Sequence, residues 1–130
     1  MKTLVYWEGV RGRIFVEEAM RLGALWYRTS SYTGSKGMPE TPSLEWVGEL
    51  LTLLLVQRVS VSRMRGHWKG LPARQREKHK REYLRRMEAR DREIAYIRRL
   101  IARLTYVEER MEALRSVTAY DMLRRGGLEL

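Results

Sequence analysis

The 130-residue sequence contains no cysteine and no asparagine, and it has only two histidines, three prolines and one phenylalanine. The absence of cysteine excludes disulfide bonds, thiolate metal ligands and a cysteine nucleophile. Two histidines are too few for a histidine-rich metal site, so we predict no metal and no cofactor. With no asparagine and only two glutamines, the composition favours a source in a hot environment.

Motifs that carry catalysis are also missing from the sequence. There is no glycine-rich phosphate loop, no metal-ligand spacing and no pairing of a nucleophile with a base. Glu108, Glu109 and Glu112 form an acidic cluster, but Arg110 and Arg115 alternate with them, which is typical of surface ion pairs. We therefore predict that the chain is not an enzyme and has no small-molecule substrate.

The sequence also lacks a long apolar run. The most hydrophobic stretch, residues 50–56, is far shorter than the ~20 residues that a membrane-spanning helix requires. Arg58 follows this stretch almost immediately. We expect no transmembrane segment, and we interpret residues 50–56 as part of a buried helix.

Positive charge is abundant and is concentrated in one segment. Residues 1–57 carry no net charge and residues 87–130 carry +1, whereas residues 58–86 carry eleven basic side chains against Glu77 and Glu82. A segment this basic favours an anionic partner, and nucleic acid is the commonest one. The predicted nucleic-acid-binding residues are Arg58, Arg63, Arg65, Lys69, Arg74, Arg76, Lys78, Lys80, Arg81, Arg85 and Arg86.

Four of these cations have the spacing of one helix face, three or four residues apart: Arg74, Lys78, Arg81 and Arg85. Such a row can follow phosphates but cannot identify bases. The alternative is a solvated charged face, although such faces usually mix charges of both signs. Trp68, beside the row, could stack on a base, but a loop tryptophan that folds back on the core is the simpler interpretation.

Hydrophobic periodicity predicts an all-α protein of the helix-bundle type. A helical hairpin over residues 14–65, with Thr41 as the N-cap of its second helix, precedes a basic hinge over 66–72. Residues 73–125 then form one long helix or two helices, which completes a single helical domain over 14–130. Residues 1–13 are expected to form an N-terminal arm, either extended or as a short strand and turn.

The second and third helical segments carry apolar stripes that suit subunit packing. The middle of the second helix is apolar nearly all round, which predicts burial within the domain or against another subunit. A near-heptad seam in the third segment could form a coiled coil, although ordinary packing on the second helix is the better default. The predicted subunit-packing residues are Leu51, Leu54, Leu55, Ile94, Ile97, Ile101 and Leu104.

The length, the cysteine-free hot-source composition, the helix layout and the basic segment 58–86 together resemble the major coat proteins of filamentous, enveloped viruses of hyperthermophilic archaea. That resemblance implies a structural protein of the virion. Such coat proteins form dimers, often of two related chains, that wrap linear double-stranded DNA in A-form into a helical nucleocapsid. Their arginine and lysine side chains neutralise phosphates without reading bases, so self-association or a related second coat subunit is expected here.

Two other interpretations stay open at this point. A cytoplasmic, sequence-nonspecific nucleic-acid-binding protein, associated with chromatin or with ribosomes, would use the same basic segment. A protein bound to an anionic membrane surface would use it too, but the basic helix lacks the bulky apolar face that membrane insertion requires.

Overall fold

The computed structural model describes residues 2–30 and 38–126, which form three α-helices and, within those ranges, no strand. Helix α1 spans Leu4–Ser30, α2 spans Leu44–Ser62 and α3 spans Ala73–Gly126. The predicted all-α class, with a helical hairpin followed by a long helix, is confirmed. Residues 73–126 form one helix rather than two, with a length of about 81 Å.

The N-terminal segment differs from its prediction. Residues 4–13 are the first turns of α1, neither an extended arm nor a strand. Trp7 and Val10 pack against the core cluster, and the Trp7 ring meets Tyr6 and Tyr106 edge-on, with centroid distances of 5.2 Å and 5.8 Å. Burial of these side chains stabilises a helix over residues whose two glycines weaken it.

The N-cap of helix α2 lies two residues later than predicted. The side-chain oxygen of Ser43, not Thr41, accepts a hydrogen bond from the Trp46 backbone N–H at 3.2 Å. Both residues are good N-caps in isolation. Leu44 packs against the core, so helix formation from this residue also buries apolar surface.

The core lies where α1 and α2 pack against the middle of α3. Its fully buried side chains include Leu22 from α1, Leu50 and Leu54 from α2, and Ile97 and Leu104 from α3. The predicted packing of the seam on α2 is thus confirmed. Polar contacts add to it: Arg11 reaches Glu108 at 2.9 Å, and the Tyr96 hydroxyl donates a hydrogen bond to Glu18.

Both ends of α3 extend beyond this core. All residues from 72 to 81 and from 115 to 126 are exposed, whereas the buried positions of α3 lie between Ile94 and Met111. The N-terminal end of α3, up to residue 81, is rich in residues with a high helix propensity, which keeps it helical without tertiary contacts. The start of α3 is therefore a solvent-exposed helix that carries the densest positive charge of the chain.

Candidate nucleic-acid interface

The hinge between α2 and α3 is built from consecutive hydrogen-bonded turns. Backbone N–H groups donate to carbonyls three residues earlier, for example from His67 to Met64 and from Lys69 to Gly66. Trp68 anchors the hinge through its ring contact with Tyr83 of α3, at 5.2 Å between centroids. The tryptophan is half-buried, and it packs on α3 and not on the core cluster. The prediction that it folds back on the core is therefore wrong.

The structure separates the eleven predicted cations into two groups. Three have acidic partners: Arg58 contacts Asp91 at 2.5 Å, and Arg85 and Arg86 both contact Glu82. The other eight are exposed and have no salt bridge within residues 2–30 and 38–126: Arg63, Arg65, Lys69, Arg74, Arg76, Lys78, Lys80 and Arg81. An anionic partner would neutralise the positive charge of these eight exposed side chains.

The cation row on α3 is longer than the sequence analysis predicts. At 100° per residue, Arg74, Lys78, Arg81 and Arg85 share a face with four more exposed arginines. We call the whole row the cationic stripe; its members, each three, four or seven residues from the next, are Arg74, Lys78, Arg81, Arg85, Arg92, Arg99, Arg103 and Arg110. It is about 54 Å long at the rise of an α-helix.

Two of the additional arginines make contacts of their own. Arg103 lies 3.7 Å from the Glu18 carboxylate, and Arg110 lies over the Tyr106 ring at 5.0 Å from its centroid. Arg92 and Arg99 have no salt bridge in the described part of the chain. All eight side chains of the stripe are exposed, and at Arg103 the stripe lies beside α1 through the contact with Glu18.

The arginines of the stripe beyond position 86 could have been predicted from their spacing in the sequence, which a count of charges does not reveal. From Lys78, a basic residue recurs every seven positions, at Arg85, Arg92 and Arg99. Seven residues are close to two helical turns, so these side chains lie one above another on the same face. The acidic residues of this part of α3 cancel the charge in a count but lie mainly on other faces.

The predicted subunit-packing residues have different environments. Leu54, Ile94, Ile97 and Leu104 have between 0% and 5% of their surface exposed and lie in the core of the chain itself, where no surface is left for a second subunit. Leu51 and Ile101 pack against the edge of that core. Leu55, on the outer face of α2, is 36% exposed and is the most accessible of the seven.

Neither a candidate metal site nor a candidate membrane-spanning helix is found in the described ranges. No group of three or more potential metal ligands occurs there, and no helix there is long and apolar enough to cross a membrane. Comparison with models of protein families, with curated proteins and with solved structures finds no match for this chain. We therefore infer function from the charge and geometry of the chain itself.

Glu82 reduces the positive charge of the stripe at Arg85. Hydrogen bonds from Arg85 and then Arg86 lower the pKa of Glu82 to about 2. Its folded pKa is below the unfolded value, so the contribution of these contacts to stability is complete above about pH 4.5 and is lost as the pH falls towards 2. At any ordinary pH the carboxylate occupies both guanidinium groups.

The predicted nucleic-acid interface implies that replacing Glu82 by Gln strengthens the binding of double-stranded DNA to this surface. The variant loses the ionic partner of Arg85 and Arg86, and each new phosphate contact is worth about eightfold at ~0.1 M salt. We expect affinity to rise about tenfold and its salt dependence to steepen, as measured by fluorescence anisotropy with a labelled duplex. Glu77→Gln is the matched control, because it makes the same change in net charge beside the stripe without releasing an arginine. Equal gains from both variants would show that Glu82 does not hold the two arginines back from DNA.

Proposed function

We propose that this chain binds double-stranded DNA through the backbone phosphates, without selecting a base sequence. The observation that carries the proposal is the group of eight exposed cations on the hinge and the start of α3, continuous with a stripe about 54 Å long. This length corresponds to about 16 base pairs at 3.4 Å each, so one helix can contact phosphates over more than one duplex turn.

The chemistry of this surface supports backbone contact rather than base recognition. Arginine dominates it, and guanidinium groups can hold phosphate oxygens through two parallel hydrogen bonds. Asparagine, the usual partner of adenine in the major groove, is absent from the sequence, and both glutamines, Gln57 and Gln75, lie outside the stripe. Trp68, the aromatic side chain of the hinge, already packs on Tyr83.

The more specific proposal is a structural role in a virion. Many copies would coat linear double-stranded DNA, held in A-form, as a helical nucleocapsid, as the resemblance to filamentous archaeal virus coat proteins implies. The support from this chain is a base-independent cationic surface together with uncovered apolar faces. The outer face of α2 exposes Leu55, Val56 and Val59, and the end of α3 exposes Tyr120 and Leu123. Neighbouring subunits in a filament would cover such surface.

Electron microscopy of the protein mixed with linear double-stranded DNA, beside a protein-only control, tests both levels of the proposal. We expect regular filaments that require DNA and whose length follows that of the duplex, and helical reconstruction then gives the DNA form. Isolated protomers on DNA would contradict the nucleocapsid and favour the cellular nucleic-acid-binding protein. Anisotropy with two unrelated duplexes completes the test, since absent binding at low salt, or strong preference for one sequence, would contradict phosphate binding itself.

A further inference from the structure

Helix α1 has a second apolar face, opposite the one that packs in the core. At 100° per residue, one row on its outer side contains Val5, Gly9, Gly12, Val16, Met20 and Tyr27, which we call the outer stripe. Val16 is 78% exposed and Met20 is 91% exposed. The row is about 33 Å long and contains no charged residue, unlike the scattered apolar side chains of an ordinary protein surface.

We propose that the outer stripe is the contact surface of a homodimer, in which α1 packs antiparallel against α1 of a second copy with Val16 at the twofold axis. The proposal concerns a surface that DNA binding does not use, so it does not rest on the proposed function. A twofold contact must be complementary to itself, and the order of residues along the stripe can be tested for this property.

Antiparallel pairing about Val16 places residues opposite each other when their numbers sum to 32. Gly12 then faces Met20 of the second copy, so the most exposed side chain meets a position without one. Val5 faces Tyr27 at each end of the contact. The space beside Gly9 and Gly12 is open, with no heavy atom within 4 Å of where a Cβ would lie, so a neighbouring side chain can enter it.

The remaining pair in this register is Gly9 with Gly23 of the second copy. Met38 already lies above Gly23, with its sulfur 3.7 Å from the position that a Cβ would occupy. In the dimer, Met38 would therefore fill the space left by Gly9 of the second copy. A glycine therefore faces a methionine at two levels of the contact, Gly12 against Met20 and Gly9 against Met38, which lets the two helices approach closely there.

The charges beside the stripe fit the same register. Arg13 and Glu17 are both exposed and lie on the same side of it. Because this side of one helix meets the same side of the other in an antiparallel pair, Arg13 of each copy lies near Glu17 of the other copy. The two numbers sum to 30, an offset of about 3 Å from direct opposition. A parallel pair would not bring together these opposite charges by symmetry.

The absence of cysteine from the chain allows a direct test by disulfide cross-linking. Val16→Cys places two thiols at the twofold axis, and we expect rapid formation of a covalent dimer under mild oxidation. Met20→Cys is the matched control, since it lies on the same face and is more exposed. In the antiparallel register its two copies are about 12 Å apart along the helix, so it should remain monomeric on a denaturing gel.

Analytical ultracentrifugation of the full-length protein without DNA gives an independent measurement. We expect the unmodified chain to be dimeric at micromolar concentration and Val16→Glu to raise the dimer dissociation constant by about 100-fold or more, because two carboxylates would meet at the axis. Val16 is exposed in the monomer, so circular dichroism of this variant should be unchanged. Cross-linking of both cysteine variants would indicate parallel or nonspecific contact, and a monomeric unmodified chain would mean that another molecule covers the face; either result overturns the proposal.

Discussion

Replacing Leu54 by Asp is expected to unfold the protein. Leu54 lies in the middle of α2 with 0% of its surface exposed, and it belongs to the core cluster that joins all three helices. The substitution removes buried apolar contacts and places a carboxylate among the apolar side chains of that cluster. The combined cost is about 5 kcal/mol or more, comparable to the whole stability of a domain of this size.

Leu55→Asp is the matched control for this experiment. The residue is the next one along the same helix, but its side chain is 36% exposed on the outer face. There the carboxylate keeps much of its hydration, so we expect a loss of about 1 kcal/mol or less. Far-UV circular dichroism with thermal melting and urea titration measures both variants. Similar melting curves for the two variants would contradict the assignment of the inner and outer faces of α2.

Much of the fold could be predicted because its hydrophobic pattern is locally consistent. The seam from Ile94 to Leu104 repeats at three and four residues, and the buried residues of α3 follow it. Pro72 and Gly70 mark the break before α3, and no proline or glycine interrupts the helix until its end. Helix identity follows from such signals, because backbone geometry fixes which positions share a face.

The face of α1 that packs against the core could not be predicted in the same way. Phe15, Leu22 and Trp26 form one apolar row, and Val16 and Met20 widen it in the sequence. The structure instead places Val16 and Met20 on the opposite side of the helix, exposed. Periodicity identifies an apolar row, but only the packing of the other helices decides which row is buried when a helix has two.

Only part of the candidate interface could be predicted, because a count of charges along the chain does not show which charges share a helix face. Counting charges along the chain identifies residues 58–86, where basic residues greatly outnumber acidic ones. It misses Arg92, Arg99, Arg103 and Arg110, because acidic residues balance them in the count. A helix separates these charges by angle rather than by position along the chain, so the stripe becomes evident once residues 73–126 are known to be a single helix.

Replacing Arg74, Lys78, Arg81 and Arg85 together by Ala is expected to weaken DNA binding on the order of 500-fold at ~0.1 M salt. Each phosphate contact contributes about 0.9 to the slope of log affinity against log salt, which is about eightfold at this concentration. We count three full contacts, because Arg85 already shares Glu82 with Arg86. The slope should therefore fall by about 3, equally for unrelated duplex sequences.

A control with the same loss of charge separates the stripe from net charge alone. Lys2, Arg98, Arg115 and Arg125 are exposed and lie outside both the stripe and the basic segment, so their joint replacement by Ala leaves the proposed surface intact. We expect this variant to lose less than about tenfold in affinity, since charges away from the contact act only through the screened field. Anisotropy titrations at several salt concentrations measure both variants. If the two lose equal affinity, the protein attracts DNA by its overall charge, and the stripe on α3 is not where the duplex lies.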